Sequence, residues 1–174
     1  MQTVKLNLSL PYKISICGLR ELPQFETRGI THLLSIDSPG SPTATPEWFT
    51  GTHWHVAFVD FESKKMAAIF GATPPAKRDA ELILELGDTC LTTSRTCNTH
   101  LLIHCLAGVS RSTAAAYAII CKLLGPGSEE VAFEHLLDIR PCASPNRLVV
   151  KYADQLLNRK GAMINFLKKQ KARI

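Results

Sequence analysis

The chain alternates short apolar runs with turn residues in its first half and carries helix-length amphipathic segments in its second half. The apolar runs predict four buried β-strands, over residues 14–19, 30–37, 53–61 and 99–104. Apolar spacing and capping residues predict one or two helical turns over 21–29, then helices from 77, over 113–124, over 128–139 and from Ser144–Pro145 through at least 157. Strands therefore alternate with helices early, and helices accumulate late.

This order of elements predicts the fold class. We expect one α/β domain with a central, mostly parallel sheet of four or five strands flanked by helices. The 174 residues suffice to bury a full core, and the 45% hydrophobic and 20% charged content is that of a globular protein. Proline-rich residues 38–52 predict a long loop, and residues 62–75 predict a second irregular segment.

The stretch Leu101–Ser112, with the sequence LLIHCLAGVSRS, predicts a strand, a tight loop and the start of a helix. Gly108 permits left-handed backbone angles, so that successive loop N–H groups can point into one concavity at the helix amino terminus, where an anion is favoured. Cys105 lies at the mouth of the same loop, where its thiol pKa should fall. Arg111 offers a planar fork for two phosphate oxygens. The stretch therefore predicts a phosphate-binding loop with a nucleophile beneath it.

The nine residues from His104 to Ser112 resemble the signature loop of the cysteine-based protein phosphatases, and the form Ala-Gly-x-Ser-Arg-Ser is most similar to their dual-specificity branch. The resemblance spans roughly residues 14–158 and implies a three-layer phosphatase-like fold. It implies that Cys105 attacks phosphorus and that Arg111 holds the phosphate. The loop residues that it assigns to phosphate binding beside Arg111 are Leu106, Ala107, Gly108, Val109 and Ser110.

The same resemblance gives roles to three further residues. The hydroxyl of Ser112 helps the thiolate leave when the phosphocysteine is hydrolysed. Asn146 belongs to a Pro-Asn element that follows an Arg-Pro element at Arg140, and its role is to support the catalytic loop. His104 orients that loop through a hydrogen bond. The competing structural interpretations are a helix-cap serine, a turn asparagine and a core histidine.

Three carboxylates compete for the role of general acid. Asp37 and Asp60 end strands at the carboxyl edge of the predicted sheet, where Cys105 also lies. We favour Asp60, because the family places its acid between the strand and the helix that precede the cysteine strand. The 45 residues from Asp60 to Cys105 exceed the usual spacing, so residues 62–75 resemble an insertion. Asp79 is closer in sequence but falls in a helical first turn, where a carboxylate commonly serves as a cap.

The predicted function is phosphomonoester hydrolysis by a protein tyrosine or dual-specificity phosphatase. Leu106, Ala107, Val109 and Ser110 are uncharged, which favours phosphorylated proteins or small phosphomonoesters over polyphosphorylated lipids. The alternative is a phosphate-binding module with little or no turnover. A sulfur transferase or an arsenate reductase fits the loop less well.

The net charge of +5 belongs to the end of the chain, because six basic residues and no acid follow Asp154. We therefore divide the chain into a phosphatase-like domain over residues 1–158 and a basic helical tail over residues 159–174. The simplest interpretation of the tail is a solvated helix, and the alternative is contact with an anionic partner. We expect no nucleic-acid partner.

The remaining chemistry-bearing residues give no metal signal. The six cysteines lack C-x-x-C spacing, and the pair His53 and His55 has no partner at metal-ligand spacing, so we expect neither a metal nor another cofactor. No apolar run reaches the roughly 20 residues of a membrane span, and the first residues lack the apolar core of a signal peptide. We therefore expect a cytoplasmic protein.

Overall fold

The computed structural model describes residues 9–171. They contain one β-sheet whose two faces are both covered by other parts of the chain. The strands are β1 (Lys13–Gly18), β2 (His32–Asp37), β3 (Thr52–Ala57) and β4 (His100–Cys105). The helices are α1 (Lys64–Ile69), α2 (Lys77–Thr93), α3 (Arg111–Leu124), α4 (Glu129–Ile139), α5 (Arg147–Leu156) and α6 (Ala162–Lys171). A 3₁₀ helix, Leu19–Phe25, follows β1 directly.

The sheet has the strand order β1-β4-β2-β3, and every neighbouring pair is parallel. Ile103 of β4 lies opposite Ile16 of β1 on one side and Leu34 of β2 on the other. Every residue of β2 and β4 is buried, as expected for parallel strands covered on both faces. The predicted α/β domain with a parallel sheet of four or five strands is therefore confirmed, with four strands.

The two faces of the sheet carry separate apolar clusters. The larger cluster joins the sheet to α2–α6, and the small buried side chains of Ala114, Ala115 and Ala118 let α3 pack closely on β1 and β4. The smaller cluster lies on the other face and consists of Cys17, Leu22, Phe25, Leu33, Phe49 and Leu102. The carboxyl end of β4 is thus fixed between two packed layers.

The third strand and the segment after it differ from the sequence-based prediction. Strand β3 ends at Ala57 rather than at residue 61, and the N–H of Phe58 makes one further bond to the Asp37 carbonyl oxygen at 3.1 Å. Asp60 consequently lies in a loop and not in a strand. The segment 62–75, predicted to be irregular, contains α1, and the hydroxyl of Ser63 caps this helix.

The predicted start of α5 is wrong, whereas α4 starts after Ser128 as predicted but without the predicted side-chain cap. Helix α5 begins after Asn146 rather than after Ser144, because the Asn146 side chain accepts hydrogen bonds from the first N–H groups of the helix. Ser128 precedes α4 as predicted, but its hydroxyl donates to the Gly125 carbonyl oxygen at 2.5 Å instead of capping the helix. The turns predicted over residues 21–29 begin earlier, as the 3₁₀ helix.

The basic end of the chain folds onto the domain as α6. Met163 and Leu167 are 0% and 6% exposed and belong to the main core. Arg159 is also buried and donates to the Cys121 carbonyl oxygen at 2.6 Å. The carboxylate of Asp154 accepts the N–H of Met163 at 2.8 Å, close to the start of α6. The expectation of a solvated tail is therefore wrong for this part of the chain, whose apolar side is buried.

Residues 1–8 and 172–174, the two ends of the predicted domain and tail, lie outside the described residues, and the boundary placed after residue 158 stays a prediction. None of the helices between residues 9 and 171 has the length and apolar character needed to cross a lipid bilayer. All six cysteines are unpaired. Within residues 9–171, no group of three or more His, Cys, Asp or Glu side chains is arranged to hold a metal ion.

Candidate active site

The loop between β4 and α3 rests directly on the end of β1. Gly108 has a φ of +70°, and a Cβ atom there would lie 2.5 Å from backbone atoms of both Cys17 and Gly18. The N–H of Leu19 donates to the Leu106 carbonyl oxygen at 3.2 Å, which ties the loop to the start of the 3₁₀ helix. Glycine at position 108 is therefore required twice, by the backbone angle and by the close contact.

Cys105 is the last residue of β4, and its side chain is held under this loop. Its Sγ lies 3.2 Å from the hydroxyl oxygen of Ser112 and accepts the N–H of Gly108 at 3.3 Å. Burial raises the pKa of the Cys105 thiol, but the Ser112 hydroxyl, the N–H groups of Ser112 and Gly108, and the charge of Arg111 together outweigh burial and lower it. The loop therefore favours the thiolate, which is the nucleophilic form.

Three other buried cysteines serve as an internal comparison. Burial raises the pKa of Cys17, Cys90 and Cys121 to about 12 in each case. Cys17 lies in β1, Cys90 in α2 and Cys121 near the carboxyl end of α3, and no backbone N–H group lowers the pKa of any of them. The lowered pKa of Cys105 therefore comes from the loop and the helix start, which oppose the effect of burial.

Arg111, the first residue of α3, is held by carbonyl oxygens of two strand ends. Its Nη1 donates to the carbonyl oxygens of Asp37 at 3.1 Å and Phe58 at 3.0 Å. Its Nε is buried and has no hydrogen-bond partner among residues 9–171. Arg111 and Cys105 both line a pocket of about 140 Å³. An oxyanion in this pocket would supply the acceptor that the buried Nε lacks.

Asp60 reaches the same loop from the segment after β3. Its Oδ1 accepts hydrogen bonds from the Ser110 hydroxyl and from Nδ2 of Asn146, both at 2.7 Å. The residue is exposed, and its Oδ2 accepts no hydrogen bond from the described part of the chain. One oxygen of the carboxyl group is thus fixed and the other is left for a ligand.

Asn146 is fully buried and connects three parts of the site. Its Nδ2 holds Asp60, and its Oδ1 accepts the N–H groups of Leu148 and Val149 at 3.0 and 3.1 Å, which caps α5. Its backbone N–H donates to the Ser110 carbonyl oxygen at 3.2 Å. The structure therefore places this Pro-Asn element where the sequence predicted support for the loop, and it adds a contact with the candidate acid.

The two alternative acids have other partners. Asp79 accepts the N–H of Ala76 at 2.7 Å at the start of α2, which is the cap role considered from the sequence. Asp37 lines the pocket but is buried. Burial raises its pKa, yet hydrogen bonds from Thr43 and His55 outweigh burial and lower it. Both carboxylates are thus engaged by other partners, whereas Asp60 is held against the loop by Ser110, so the geometry favours Asp60.

His104 is anchored to the neighbouring strand. Its Nε2 lies 2.6 Å from the hydroxyl oxygen of Ser35 on β2, and that same oxygen lies 2.7 Å from Nε2 of His53 on β3. Burial lowers the pKa of His104, and it lowers the pKa of His53 to about 4 with help from neighbouring histidines. Both rings are therefore neutral at pH 7. The predicted hydrogen bond of His104 thus fixes the end of β4 against β2, from which the loop departs.

A second support for the loop was not recognised in the sequence. Arg140 donates from Nε to the Gly108 carbonyl oxygen at 3.0 Å and from Nη2 to that of Ala107 at 3.3 Å. Its Nη1 lies 3.0 Å from the Glu21 carboxylate, which also accepts the N–H of Gly18 at 2.6 Å. The Arg-Pro element marked Arg140 as notable, but no local pattern pointed to Glu21, which lies 119 residues away.

Comparisons with known proteins agree with this geometry, although no family model matches the sequence. Dual specificity protein phosphatase 22-B of Danio rerio is 32% identical over 127 residues, which are 73% of this chain and 59% of that protein. Dual specificity protein phosphatase 8 of Homo sapiens is 46% identical over 46 residues, which are 26% of this chain. The chain spans only 59% and 7% of the length of these two relatives.

Comparison with solved structures shows the same fold. The crystal structure of DUSP15 superimposes with a TM-score of 0.63 at 19% sequence identity and covers 93% of this chain and 94% of that chain. The chain is therefore similar in sequence to dual-specificity phosphatases and has the fold of that branch of the cysteine-based protein tyrosine phosphatases.

Proposed function

We propose that the protein hydrolyses phosphomonoesters through a phosphocysteine intermediate on Cys105, as a protein tyrosine or dual-specificity phosphatase. The observation that carries the proposal is the lowered pKa of a buried thiol beneath a loop whose arginine has a buried, unpartnered Nε. The thiolate supplies the nucleophile, and a bound phosphate group would supply the acceptor that the buried Nε lacks. The names of the sequence relatives support the same reaction class.

The residues of the site can complete both chemical steps. In the first, the Cys105 thiolate bonds to phosphorus while the ester P–O bond breaks, and Asp60 protonates the departing oxygen. In the second, ionised Asp60 takes a proton from water as the water oxygen attacks phosphorus. The P–S bond then breaks, phosphate leaves, and the Ser112 hydroxyl stabilises the thiolate. Arg111 and the loop N–H groups stabilise the phosphoryl oxygens in both transition states.

The hydrogen bonds of Asp60 support its role as the acid. Ser110 and Asn146 both donate to Oδ1, so the proton of a neutral carboxyl group belongs on Oδ2. Oδ2 is the oxygen with no partner in the described residues, and the side chain is exposed beside the loop. A proton on this atom is available to a leaving oxygen.

The proposed substrates are phosphorylated proteins or small phosphomonoesters. The loop presents no charged side chain apart from Arg111, and Leu106 is 68% exposed at its rim. An apolar rim suits the aryl or alkyl group that carries the phosphate better than a second phosphate. The cytoplasmic location is likewise a proposal, and it rests on the sequence alone.

The test is hydrolysis of p-nitrophenyl phosphate by the purified chain. We expect Cys105→Ser to reduce kcat by at least about 10³-fold, whereas Cys97→Ser, an exposed cysteine outside the site, keeps the wild-type rate. Acid quenching during turnover should give a phosphate adduct on the peptide that contains Cys105. A Cys105→Ser variant with the wild-type rate would exclude the mechanism. Tight binding of a phosphotyrosyl peptide without turnover by the wild-type chain would instead establish the binding-module alternative.

A further inference from the structure

A basic groove borders the loop that carries Asp60. The groove encloses about 690 Å³ between the start of α1, one side of α5 and α6. Four lysines line it: Lys64, Lys65, Lys151 and Lys168. All four are exposed, and we call this surface the lysine groove.

The positive charge of the lysine groove is not neutralised by its own walls. Among residues 9–171, no carboxylate lies within ion-pair distance of Lys65, Lys151 or Lys168. The acid in the lining is Glu62, whose carboxylate is bonded to the Arg147 guanidinium at 2.8 and 2.9 Å. The lysines therefore leave a concave surface of one sign, which attracts anionic groups.

The lysine groove is lined by residues that closely follow two residues of the candidate active site in sequence. Glu62 follows Asp60 by two residues, and Arg147 directly follows Asn146, whose side chain holds Asp60. The segment that follows Asp60 therefore forms part of the groove wall, from Glu62 onward. An extended polypeptide advances about 3.3 Å per residue, so residues that flank a phosphorylated side chain in the pocket extend over the surface next to it.

We propose that the lysine groove binds acidic side chains that flank the phosphorylated residue of a protein substrate. The proposal rests on the proposed phosphatase function and adds a substrate class to it. Charge complementarity and the shared Asp60 loop favour a segment of the substrate itself. Lys168 belongs to the basic end of the chain and lines this groove. Part of the charge that the sequence assigned to a separate tail therefore lies on the folded domain.

The first test compares two phosphotyrosyl peptides that differ only in flanking residues, acidic in one and glutamine in the other. We expect the wild type to have a kcat/KM roughly tenfold higher for the acidic peptide at low salt, mainly through KM, and to lose this preference at about 0.5 M salt. The triple variant Lys65→Ala, Lys151→Ala, Lys168→Ala should lose the preference and keep the wild-type kcat/KM for p-nitrophenyl phosphate.

A charge-matched variant provides the control. Lys13, Arg28 and Arg95 are exposed at the amino edge of the sheet: Lys13 is the first residue of β1, and Arg28 and Arg95 precede β2 and β4. Replacing these three with alanine removes the same charge far from the groove and should leave the preference intact. An equal loss in both triple variants, or a preference that survives in the groove variant, overturns the proposal.

A binding experiment separates failure of this proposal from failure of the proposed function. The Cys105→Ser chain should bind the acidic phosphopeptide more tightly than the glutamine peptide, and the added groove substitutions should abolish the difference. This binding difference can be measured even if the wild type hydrolyses no substrate. A lack of hydrolysis together with this binding difference would count against the proposed function and not against the groove proposal. If the groove substitutions instead abolish only binding to phosphatidylserine vesicles, the groove is a membrane site and the peptide proposal is wrong.

Discussion

Nδ2 of Asn146 donates to Oδ1 of Asp60 at 2.7 Å across 86 residues of sequence. The same amide group uses its oxygen to cap α5, and the backbone N–H of Asn146 bonds to the catalytic loop. A single buried side chain therefore fixes the candidate acid relative to the nucleophile. Asn146 acts here through Asp60 and is a positioning residue.

The first prediction concerns this contact. Asn146→Ala removes the donor to Asp60 and should lower kcat/KM for phenyl phosphate by about 10- to 100-fold, because a misplaced acid protonates the leaving oxygen poorly. The loss should be clearly smaller for p-nitrophenyl phosphate, whose better leaving group needs less protonation. Asp60→Asn should show the same dependence on the leaving group.

The stability of the same variants separates positioning from folding. Asn146→Ala should also destabilise the fold by about 1–3 kcal/mol, because α5 loses its cap and buried partners lose a hydrogen bond. Asn146→Ser keeps a capping oxygen but lacks the amide that reaches Asp60, so it should unfold closer to the wild type in urea than Asn146→Ala while losing activity toward phenyl phosphate. Equal losses on both substrates would contradict the positioning role.

The second prediction concerns the pH dependence of Cys105. The Ser112 hydroxyl is one of the groups that lower the thiol pKa, so Ser112→Ala should raise that pKa. At any pH below the raised pKa, less of Cys105 is then present as thiolate. The pH profile of Cys105 alkylation by iodoacetamide and the acid limb of the kcat/KM profile should therefore both shift to higher pH. The measurement is the alkylation rate from pH 4 to 9, followed on the Cys105 peptide by mass spectrometry.

The other cysteines provide the controls in the same samples. Cys97 and Cys142 are exposed and give separate adducts, whereas the raised pKa values of the buried Cys17, Cys90 and Cys121 should leave these three unmodified at neutral pH. Ser112→Ala should also slow the breakdown of the phosphocysteine, so that a burst of product precedes the steady state. An unchanged alkylation profile would show that Ser112 does not stabilise the thiolate.

Features of the fold that depend on nearby residues were predictable from the sequence, and features that depend on distant partners were not. The strand entering Cys105, the tight turn at Gly108 and the helix from Arg111 follow from a short run of side chains. Ser144–Pro145 carried a familiar start signal, but α5 is capped one residue after the proline, where the side chain also meets Asp60. Serine and asparagine are both favoured N-cap residues, so N-cap preference alone cannot decide between Ser144 and Asn146.

The end of the chain shows how charge can mask an apolar face. Lys168 and Lys169 dominate the composition there and indicated a solvated helix, whereas Met163 and Leu167 recur at helical spacing and are buried. A separation of four residues places these two on one side of a helix. The sequence therefore contained the spacing that marks an apolar helix face. It did not show which surface of the domain this face packs against.

The third prediction concerns Arg140, which binds the outer side of the phosphate loop. Its guanidinium donates to the carbonyl oxygens of Ala107 and Gly108 and pairs with Glu21. Because a peptide group points its N–H away from its C=O, holding these carbonyls outward helps to aim the following N–H groups toward the pocket. Arg140→Ala should therefore weaken inhibition by tungstate, an oxyanion that occupies such a loop, by about tenfold, in line with one lost charge-assisted bond.

Two further variants test whether this effect depends on the shape of the guanidinium. Arg140→Lys keeps the charge and the pairing with Glu21 but cannot bind two carbonyls in a fixed fork, so tungstate affinity should recover only in part. Glu21→Gln keeps an acceptor for the Gly18 N–H and should change tungstate affinity less than Arg140→Ala. If Arg140→Ala lowers the melting temperature but leaves tungstate inhibition unchanged, Arg140 stabilises the fold without shaping the loop.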